Sequence, residues 1–273
     1  MASELIMFGT GCALVTRCYN TCFAIKSGDE YFLVDGGGGN GVLSQMGKAS
    51  VDLLKVRAMF VTHAHTDHLL GVIWVLRFVA MRMIYGEYPG QFHVYCHDEL
   101  ERAIRTICNL VLPPNHLRFF DNGIVFHVVA DGDKAEAAGL ELSFFDLGAV
   151  KSKQFGFKAT LPDGQALCCL GDEPCRESSR QHVKNADWLM AEAFCLYAQR
   201  ETFKPYDKGH STALDAARLA QELGVKNLVL YHTEDTQLDK RKALYSDEAA
   251  SAFDGRIFVP DDLERIILEA GEV

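Results

Sequence analysis

The segment from Thr62 to His68 constrains the fold of this chain more than any other feature. It reads Thr-His-Ala-His-Thr-Asp-His, and it follows an apolar run from Val56 to Val61 that predicts a buried strand. The apolar positions from Leu69 to Ile84 recur with helical spacing and predict a helix directly afterwards. Three imidazoles and a carboxylate are therefore expected at the C-terminal end of a strand and the start of a helix.

This spacing is typical of metal ligands. Residues two apart in an extended chain point to the same side, so His63 and His65 can bind one ion together. Asp67 and His68 follow the turn and face a position next to the one between His63 and His65. Imidazole and carboxylate groups so arranged suit zinc or a similar divalent metal. A histidine cluster without metal is the alternative, and the number of ligating groups at one junction argues against it.

Length and composition limit the remaining possibilities. The chain has 273 residues, 48% of them hydrophobic, which is enough for one layered α/β domain predicted to span residues 1–273. A net charge of −10 argues against a large polyanionic partner. Nine cysteines without a C-x-x-C motif, and a start without a basic segment or a long apolar segment, predict a cytoplasmic protein with reduced thiols and no membrane span.

Strands precede helices in both halves of the sequence. Short apolar runs predict early strands at 5–8, 22–25 and 31–34, and later strands at 188–193, 225–231 and 265–268. Helices are predicted at 98–110, with Asp98 as a candidate N-cap, and at 211–223 and 235–250. This order predicts two sheets packed face to face with helices outside, a four-layer αββα sandwich.

The middle of the chain carries more specific expectations. Ile124–Val129 and Leu140–Phe145 are predicted to be paired strands, and the polar segment Asp131–Gly139 between them a loop. Phe155–Leu161 and Ala166–Leu170 are predicted to form a hairpin around a Pro-Asp-Gly turn.

Further candidate ligands also follow apolar strands. Asp172 and His232 come directly after predicted strands, and His210 precedes a helix for which Ser211 is a candidate N-cap. Each is unremarkable alone, but together they would converge on one rim of the sandwich. Asp35, also at a strand end, is either an acceptor for a ligand imidazole or an ordinary turn residue.

Taken together, the motifs resemble a known family. They occur in this order: Phe8-Gly9-Thr10-Gly11, Val34-Asp35-Gly36-Gly37, the 62–68 segment, Gly171-Asp172, Ala191-Glu192-Ala193-Phe194, Gly209-His210-Ser211-Thr212 and Tyr231-His232-Thr233. The chain resembles the metallo-β-lactamase superfamily and is most similar to ribonuclease Z-like hydrolases. The resemblance covers nearly the whole chain, and the 62–68 signature is its most specific part.

The resemblance implies a binuclear metal centre. It assigns the first metal to His63 and His65, the second to Asp67, His68 and His232, and the bridging position to Asp172. Zinc is the expected metal, with manganese or iron as alternatives. The resemblance also makes His210 the group that protonates the leaving group or holds the phosphate, steered by Glu192.

Two departures from the family pattern bear on function. The family supplies a third histidine to the first metal from the segment that is Asp146–Gly156 here, and this segment has none. The first site is then weak or vacant, or it uses a substitute such as Asp146, or Lys151 or Lys153 places a positive charge there. A surface role for the two lysines is an equal alternative. In addition, only residues 157–171 separate Gly156 from Asp172, which leaves no room for the tRNA-gripping arm of ribonuclease Z.

These observations predict a metal-dependent hydrolase, in the first instance a phosphodiesterase. Asp67 would hold a metal and orient or deprotonate the metal-activated water, and His210 would act as general acid. The expected substrate is a small phosphodiester or nucleotide-like molecule, with tRNA disfavoured and a homodimer possible. The alternatives are an acyl hydrolase for a thioester, lactone or lactam on the same fold, and a degenerate member that only binds a nucleotide or phosphate.

Overall fold

The computed structural model describes residues 2–270 of the chain. Within this range the strands, in chain order, are β1 (Ser3–Gly9), β2 (Cys22–Ser27), β3 (Glu30–Val34), β4 (Val56–Phe60), β5 (Phe92–Cys96), β6 (Ile124–Val128), β7 (Lys134–Ala137), β8 (Leu140–Asp146), β9 (Phe155–Thr160), β10 (Ala166–Cys169), β11 (Trp188–Glu192), β12 (Asn227–Tyr231), β13 (Arg256–Phe258) and β14 (Arg265–Leu268).

The helices lie between these strands. They are α1 (Gly41–Lys48), α2 (Thr66–Ile84), α3 (Asp98–Val111), α4 (Pro114–Leu117), α5 (Arg180–Val183), α6 (Arg200–Phe203), α7 (Ala213–Glu222) and α8 (Arg241–Ala250). Among residues 2–270, none of the helices combines the length and the apolar character needed to cross a membrane.

Two seven-stranded sheets form the centre of the molecule. The first has the order β14-β1-β2-β3-β4-β5-β6 and the second β13-β12-β11-β10-β9-β8-β7. Their inner faces meet in an aromatic core in which Phe60 packs against Phe144 and Phe157, with ring centroids 5.2 and 5.4 Å apart. Further apolar clusters cover the outer faces, with α2 on the first sheet and α7 on the second. The predicted αββα sandwich is confirmed.

The pairing predicted for the middle of the chain is wrong. β6 pairs in parallel with β5 in the first sheet, whereas β8 pairs antiparallel with β7 and β9 in the second. The segment predicted as a loop contains the edge strand β7, whose Lys-Ala-Glu-Ala sequence lacks the β-branched and aromatic residues by which strands are recognised. The hairpin of β9 and β10 is confirmed.

Helix starts differ from the predictions in detail. His97, rather than Asp98, is the N-cap of α3 and accepts a hydrogen bond from the backbone N–H of Leu100. Helix α8 begins at Arg241 rather than near residue 235, after a short 3₁₀ turn at Leu238–Lys240. Helix α1 and strand β13 were not predicted from the sequence.

Parallel strands in both sheets direct their carboxyl ends to one rim. β3 and β4 run in parallel in the first sheet, and β10, β11 and β12 run in parallel in the second. The residues that follow these strands therefore meet in space, as in other sheets with parallel strands. They include the 62–68 segment after β4, Asp172 after β10 and His232 after β12.

Backbone contact fixes the start of α2 against the glycine loop that follows β3. The backbone N–H of Gly36 donates to the carbonyl of His68 at 2.9 Å, and that of Gly71 donates to the carbonyl of Gly37 at 2.9 Å. A Cβ atom on Gly71 would lie 1.7 Å from the carbonyl oxygen of Gly36. Glycine is required at position 71 because the two backbones touch.

Candidate metal centre

Three donors meet at the end of β4. The Nε2 atom of His63 lies 2.8 Å from Nδ1 of His65 and 3.5 Å from Oδ1 of Asp172. We call these three side chains the first cluster. His63 and Asp172 are buried, whereas His65 is exposed at the cavity mouth.

A second cluster lies beside the first and shares Asp172 with it. The Oδ2 atom of Asp67 lies 3.4 Å from Nε2 of His68 and 3.4 Å from Nε2 of His232. Oδ2 of Asp172 lies 3.8 Å from the first of these nitrogens and 3.6 Å from the second. All the members of the second cluster are buried.

These distances fit divalent metal ions. Bond lengths of about 2.0–2.2 Å to a tetrahedral ion place neighbouring donors about 3.3–3.6 Å apart, close to the spacing in the second cluster. The His63–His65 pair is tighter than that. Within residues 2–270, Nε2 of His68 and Oδ1 of Asp172 are buried without a hydrogen-bond partner. Unpaired buried polar atoms are costly unless something else satisfies them, and a cation would do so here.

The ionisation of His63, Asp67 and Asp172 also suits a cation. Burial lowers the pKa of His63 well below its usual value, so its imidazole is neutral and keeps a lone pair. Burial opposes ionisation of Asp67 and Asp172, but the surrounding histidines outweigh it and lower the pKa of both carboxyls. Asp67 is therefore a carboxylate of low basicity, which favours the role of ligand over that of proton acceptor.

Asp35 orients the second cluster from behind. Its Oδ2 lies 2.7 Å from Nδ1 of His68 and accepts from the Thr62 hydroxyl at 2.9 Å, while Oδ1 accepts from the Thr62 backbone N–H at 2.8 Å. Because Nδ1 of His68 is engaged in this way, Nε2 is left to face the cluster. This is the acceptor role considered for Asp35 from the sequence.

His210 is held beside the two clusters by contacts to its Nδ1 atom. This atom lies 3.1 Å from the carbonyl oxygen of Asp172 and 3.4 Å from Oε2 of Glu192. The imidazole stacks on Phe194 with the ring centroids 4.9 Å apart. Burial lowers the pKa of His210, but Glu192 and Asp172 more than offset this and raise it above its usual value.

The loop that carries His210 differs from the predicted helix start. Ser211 does not cap α7. Its backbone N–H and its hydroxyl both donate to Oε1 of Glu192, the latter at 3.0 Å. The N-cap is Thr212, which forms a capping box with Asp215. Glu192 thus holds the backbone of the His210 loop as well as the imidazole.

In the segment without the third histidine, Asp146, considered as a substitute ligand, and Lys153, considered as a positive charge at the first site, both have other partners. Asp146 accepts a hydrogen bond from the backbone N–H of Gly148 at 2.8 Å, and Lys153 is bound to Asp98 at 2.7 Å. Lys151 does reach the cavity beside the clusters.

Gln154 was missed by sequence reasoning. It is 1% exposed, lines the cavity, and its Oε1 has no hydrogen-bond partner among residues 2–270. Gln154 directly precedes β9, and a single glutamine at the start of a strand is too weak a sequence signal to mark a functional residue.

A cavity of 480 Å³ opens onto both clusters, and we call it the site cavity. Its wall includes members of each cluster together with His210. The volume falls within the range of about 300–1,000 Å³ that is typical of sites for small molecules. The arrangement therefore presents a metal-binding rim and an imidazole to a ligand of limited size.

Known proteins are similar to this chain in sequence. A family model described as "Beta-lactamase superfamily domain" matches residues 31–233. The chain is similar to a ribonuclease Z of Methanothermobacter thermautotrophicus, with 28% identity over 269 residues, 84% of this chain and 86% of the relative.

Two solved structures show the same architecture. The metallo-β-lactamase fold protein YhfI from Bacillus subtilis superposes with a TM-score of 0.78 at 20% identity, covering 97% of this chain and 99% of the other. The short form of human tRNase Z superposes with a TM-score of 0.76 at 21% identity, covering 98% and 100%. With the family model spanning most of the sequence and its histidine–aspartate rim in place, the chain belongs to the β-lactamase superfamily.

Proposed function

We propose that this metal-dependent hydrolase cleaves a phosphodiester bond in a small, nucleotide-like substrate. The observation that carries the proposal is the position of Asp172, whose Oδ1 lies 3.5 Å from His63 and whose Oδ2 lies 3.6 Å from His232. One carboxylate can thus serve two ions at once. The imidazole of His210 lies next to it, where a leaving group would need a proton.

The two clusters would hold two divalent metals, zinc in the first instance and manganese or iron as alternatives. The first metal would bind His63, His65 and Asp172, and the second Asp67, His68, His232 and Asp172. When bound, such ions supply positive charge and a water molecule of lowered pKa. Three protein ligands with one open position are usual for catalytic zinc, so the absent third histidine is compatible with a first metal.

His210 would act as the general acid. Its Nδ1 is engaged by the Asp172 carbonyl and by Glu192, which leaves Nε2 as the atom that can deliver a proton. A pKa raised by Glu192 and Asp172 increases the protonated fraction near neutral pH. Glu192 would therefore position the acid and keep it charged.

The β9–β10 connection and the size of the site cavity favour a small phosphodiester over the competing substrates. Residues 161–165 connect β9 and β10 tightly, so the tRNA-gripping arm expected of ribonuclease Z has no counterpart between Gly156 and Asp172. A small substrate also suits the 480 Å³ cavity. A thioester hydrolase releases a thiolate and would not need an acid such as His210, whose pKa is raised, beside the clusters. A degenerate phosphate-binding protein would not need Asp172 shared between them.

Hydrolysis of bis(p-nitrophenyl) phosphate in the presence of zinc or manganese tests the proposal. We expect turnover by the wild-type protein and loss of at least about 100-fold in Asp67→Ala, because this change removes a metal ligand. Asp247→Ala is the matched control, since Asp247 is exposed on α8, and it should keep its activity. Metal content is measured in all three proteins by mass spectrometry.

The other outcomes would overturn the proposal in distinct ways. A metal-loaded protein that leaves the phosphodiester intact but hydrolyses a thioester or lactone is an acyl hydrolase. A metal-loaded protein that hydrolyses neither, and binds inorganic phosphate, is a sensor.

A further inference from the structure

Two lysines line the site cavity without a carboxylate partner. Lys151 and Lys208 both contribute to its wall, and both are exposed. Within residues 2–270 neither ammonium group has a carboxylate oxygen within 4.0 Å, whereas Lys153, two residues beyond Lys151, lies 2.7 Å from Asp98. The positive charges of Lys151 and Lys208 are therefore free to meet a ligand.

Lys208 is held beside the proposed general acid. Its Nζ atom lies 4.9 Å from the centre of the Phe194 ring, the same ring on which His210 stacks. A cation is attracted to an aromatic face at this distance, so the contact restrains the ammonium group near His210. The left-handed turn at Gly209, with φ of 71°, brings the two side chains onto this ring.

Lys151 reaches the cavity from a different loop, beside the first cluster. The next residue, Ser152, places its hydroxyl oxygen 3.4 Å from Nε2 of His65. The loop of Lys151 thus lies against the outer side of a first-cluster imidazole. The cavity has one free ammonium on the loop at His65 and another on the loop at His210.

The carboxylates of the cavity do not compete for these lysines. Asp67 and Asp172 belong to the clusters, where histidines and metals would offset their charge. Glu173, the remaining acid of the wall, lies 3.3 Å from Arg176. A chain with a net charge of −10 repels anions on average, so two unpaired cations in this cavity create a local exception.

We propose that Lys151 and Lys208 bind a second phosphate of the substrate, so that the enzyme prefers phosphodiesters that also carry a phosphomonoester group. The inference rests on the proposed function and adds a substrate class to it. A phosphodiester has a single negative charge, which the metals bound by the two clusters and His210 would engage. A phosphomonoester adds about 1.5 to 2 negative charges at pH 7, enough to engage two ammonium groups.

Two nucleotides that differ by one phosphate provide the kinetic test. They are thymidine 5′-(p-nitrophenyl phosphate) and the same compound with a 3′-phosphate, both assayed with metal-loaded protein. We expect kcat/KM to be at least about 10-fold higher for the 3′-phosphorylated compound, since each partly exposed ammonium–phosphate contact contributes about three- to tenfold. Lys151→Ala and Lys208→Ala should each reduce this ratio by that factor, and the double variant should bring it close to one.

Lys153→Ala is the matched control. It removes a lysine from the same loop whose ammonium is already bound to Asp98, and it should retain the wild-type ratio. Turnover of both compounds with a ratio near one in the wild type would overturn the inference while leaving the proposed function intact. A ratio that survives in the double variant would overturn it equally.

A binding measurement separates this inference from failure of the catalytic proposal. Calorimetry compares thymidine 3′,5′-bisphosphate with thymidine 5′-monophosphate on metal-loaded protein. If neither nitrophenyl compound is hydrolysed, tighter binding of the bisphosphate that disappears in the double lysine variant supports the lysine pair alone. Equal affinity for the two nucleotides overturns it.

Discussion

At the scale of single residues, the candidate metal centre contains backbone conformations that residues other than glycine rarely adopt. Asp35 and His232 have φ of 58° and 56°, in the left-handed region. Such residues cost free energy and persist where the surrounding contacts compensate. For Asp35 these contacts are the hydrogen bonds to Thr62 and His68. The strain thus occurs at two residues whose side chains must point to a particular place.

A residue-scale prediction concerns His210. We expect His210→Ala to keep its metals and to lose about 100- to 10,000-fold in kcat on thymidylyl-(3′→5′)-thymidine, because the alkoxide leaving group of this substrate needs the proton of the proposed general acid and the change removes no member of either cluster. Turnover and metal content are measured on the same preparation. Loss of metal in parallel with activity would show that His210 is a ligand instead.

His182→Ala controls for the loss of a stacked imidazole. Like His210, His182 stacks face to face on a phenylalanine. The ring centroids of His182 and Phe145 are 4.2 Å apart, and the angle between the ring planes is 3°. It lies on α5, outside both clusters, so this variant should retain the kcat of the wild-type protein.

At the scale of elements, the start of α2 is the structural unit that aims the second cluster. Asp67 and His68 lie in its first turn, and hydrogen bonds between the backbones of Gly36, Gly37, His68 and Gly71 hold that turn against the end of β3. A shift of this helix would move two ligands together. The glycines matter because no side chain fits between the two backbones.

The element-scale prediction is that Gly71→Ala destabilises the fold by at least about 3 kcal/mol, because its Cβ would lie 1.7 Å from a backbone oxygen that cannot move away easily. Gly47→Ala, at an exposed position of α1 with no atom near the new methyl group, should instead raise stability by about 0.5–1 kcal/mol. Urea unfolding followed by circular dichroism measures both. Equal stability of Gly71→Ala and wild type would contradict the close contact.

At the scale of the whole molecule, the centre lies on the line where the two sheets meet. Asp35, His63 and Asp67 follow strands of the first sheet, whereas Asp172 and His232 follow strands of the second. Metals bound here would connect the two halves of the sandwich. Each ion that binds the folded chain and not the unfolded chain shifts the equilibrium toward the folded state.

This predicts that excess EDTA lowers the Tm of the metal-loaded protein by about 5–10 °C, the shift expected when about 2.7 kcal/mol of binding free energy is lost from a chain of this size. Differential scanning calorimetry with and without chelator measures it. Asp172→Ala, which lacks the shared carboxylate, should respond much less to EDTA. An unchanged Tm for wild-type protein with confirmed metal content would show that the metals do not bridge the sheets.

Local patterns in the sequence determined the strand-to-helix junction, the histidine–aspartate spacing and the succession of strands and helices. The information for these features lies within a few residues, in alternation, helical periodicity and turn residues. The β9–β10 hairpin is of this kind, because a tight Pro-Asp-Gly turn brings two strands that are adjacent in sequence side by side. The assignment of residues 1–273 to one domain stays a prediction.

Only the tertiary structure decided which strands pair and which polar side chains find partners. β6 joins β5 rather than β8, because the sheet that a strand enters depends on packing between elements far apart in sequence. Lys151 and Lys153 are alike in sequence, yet only Lys153 meets Asp98. The position of Asp172 between the two clusters likewise depends on the tertiary structure, since it requires residues from both sheets at distances of a few ångströms.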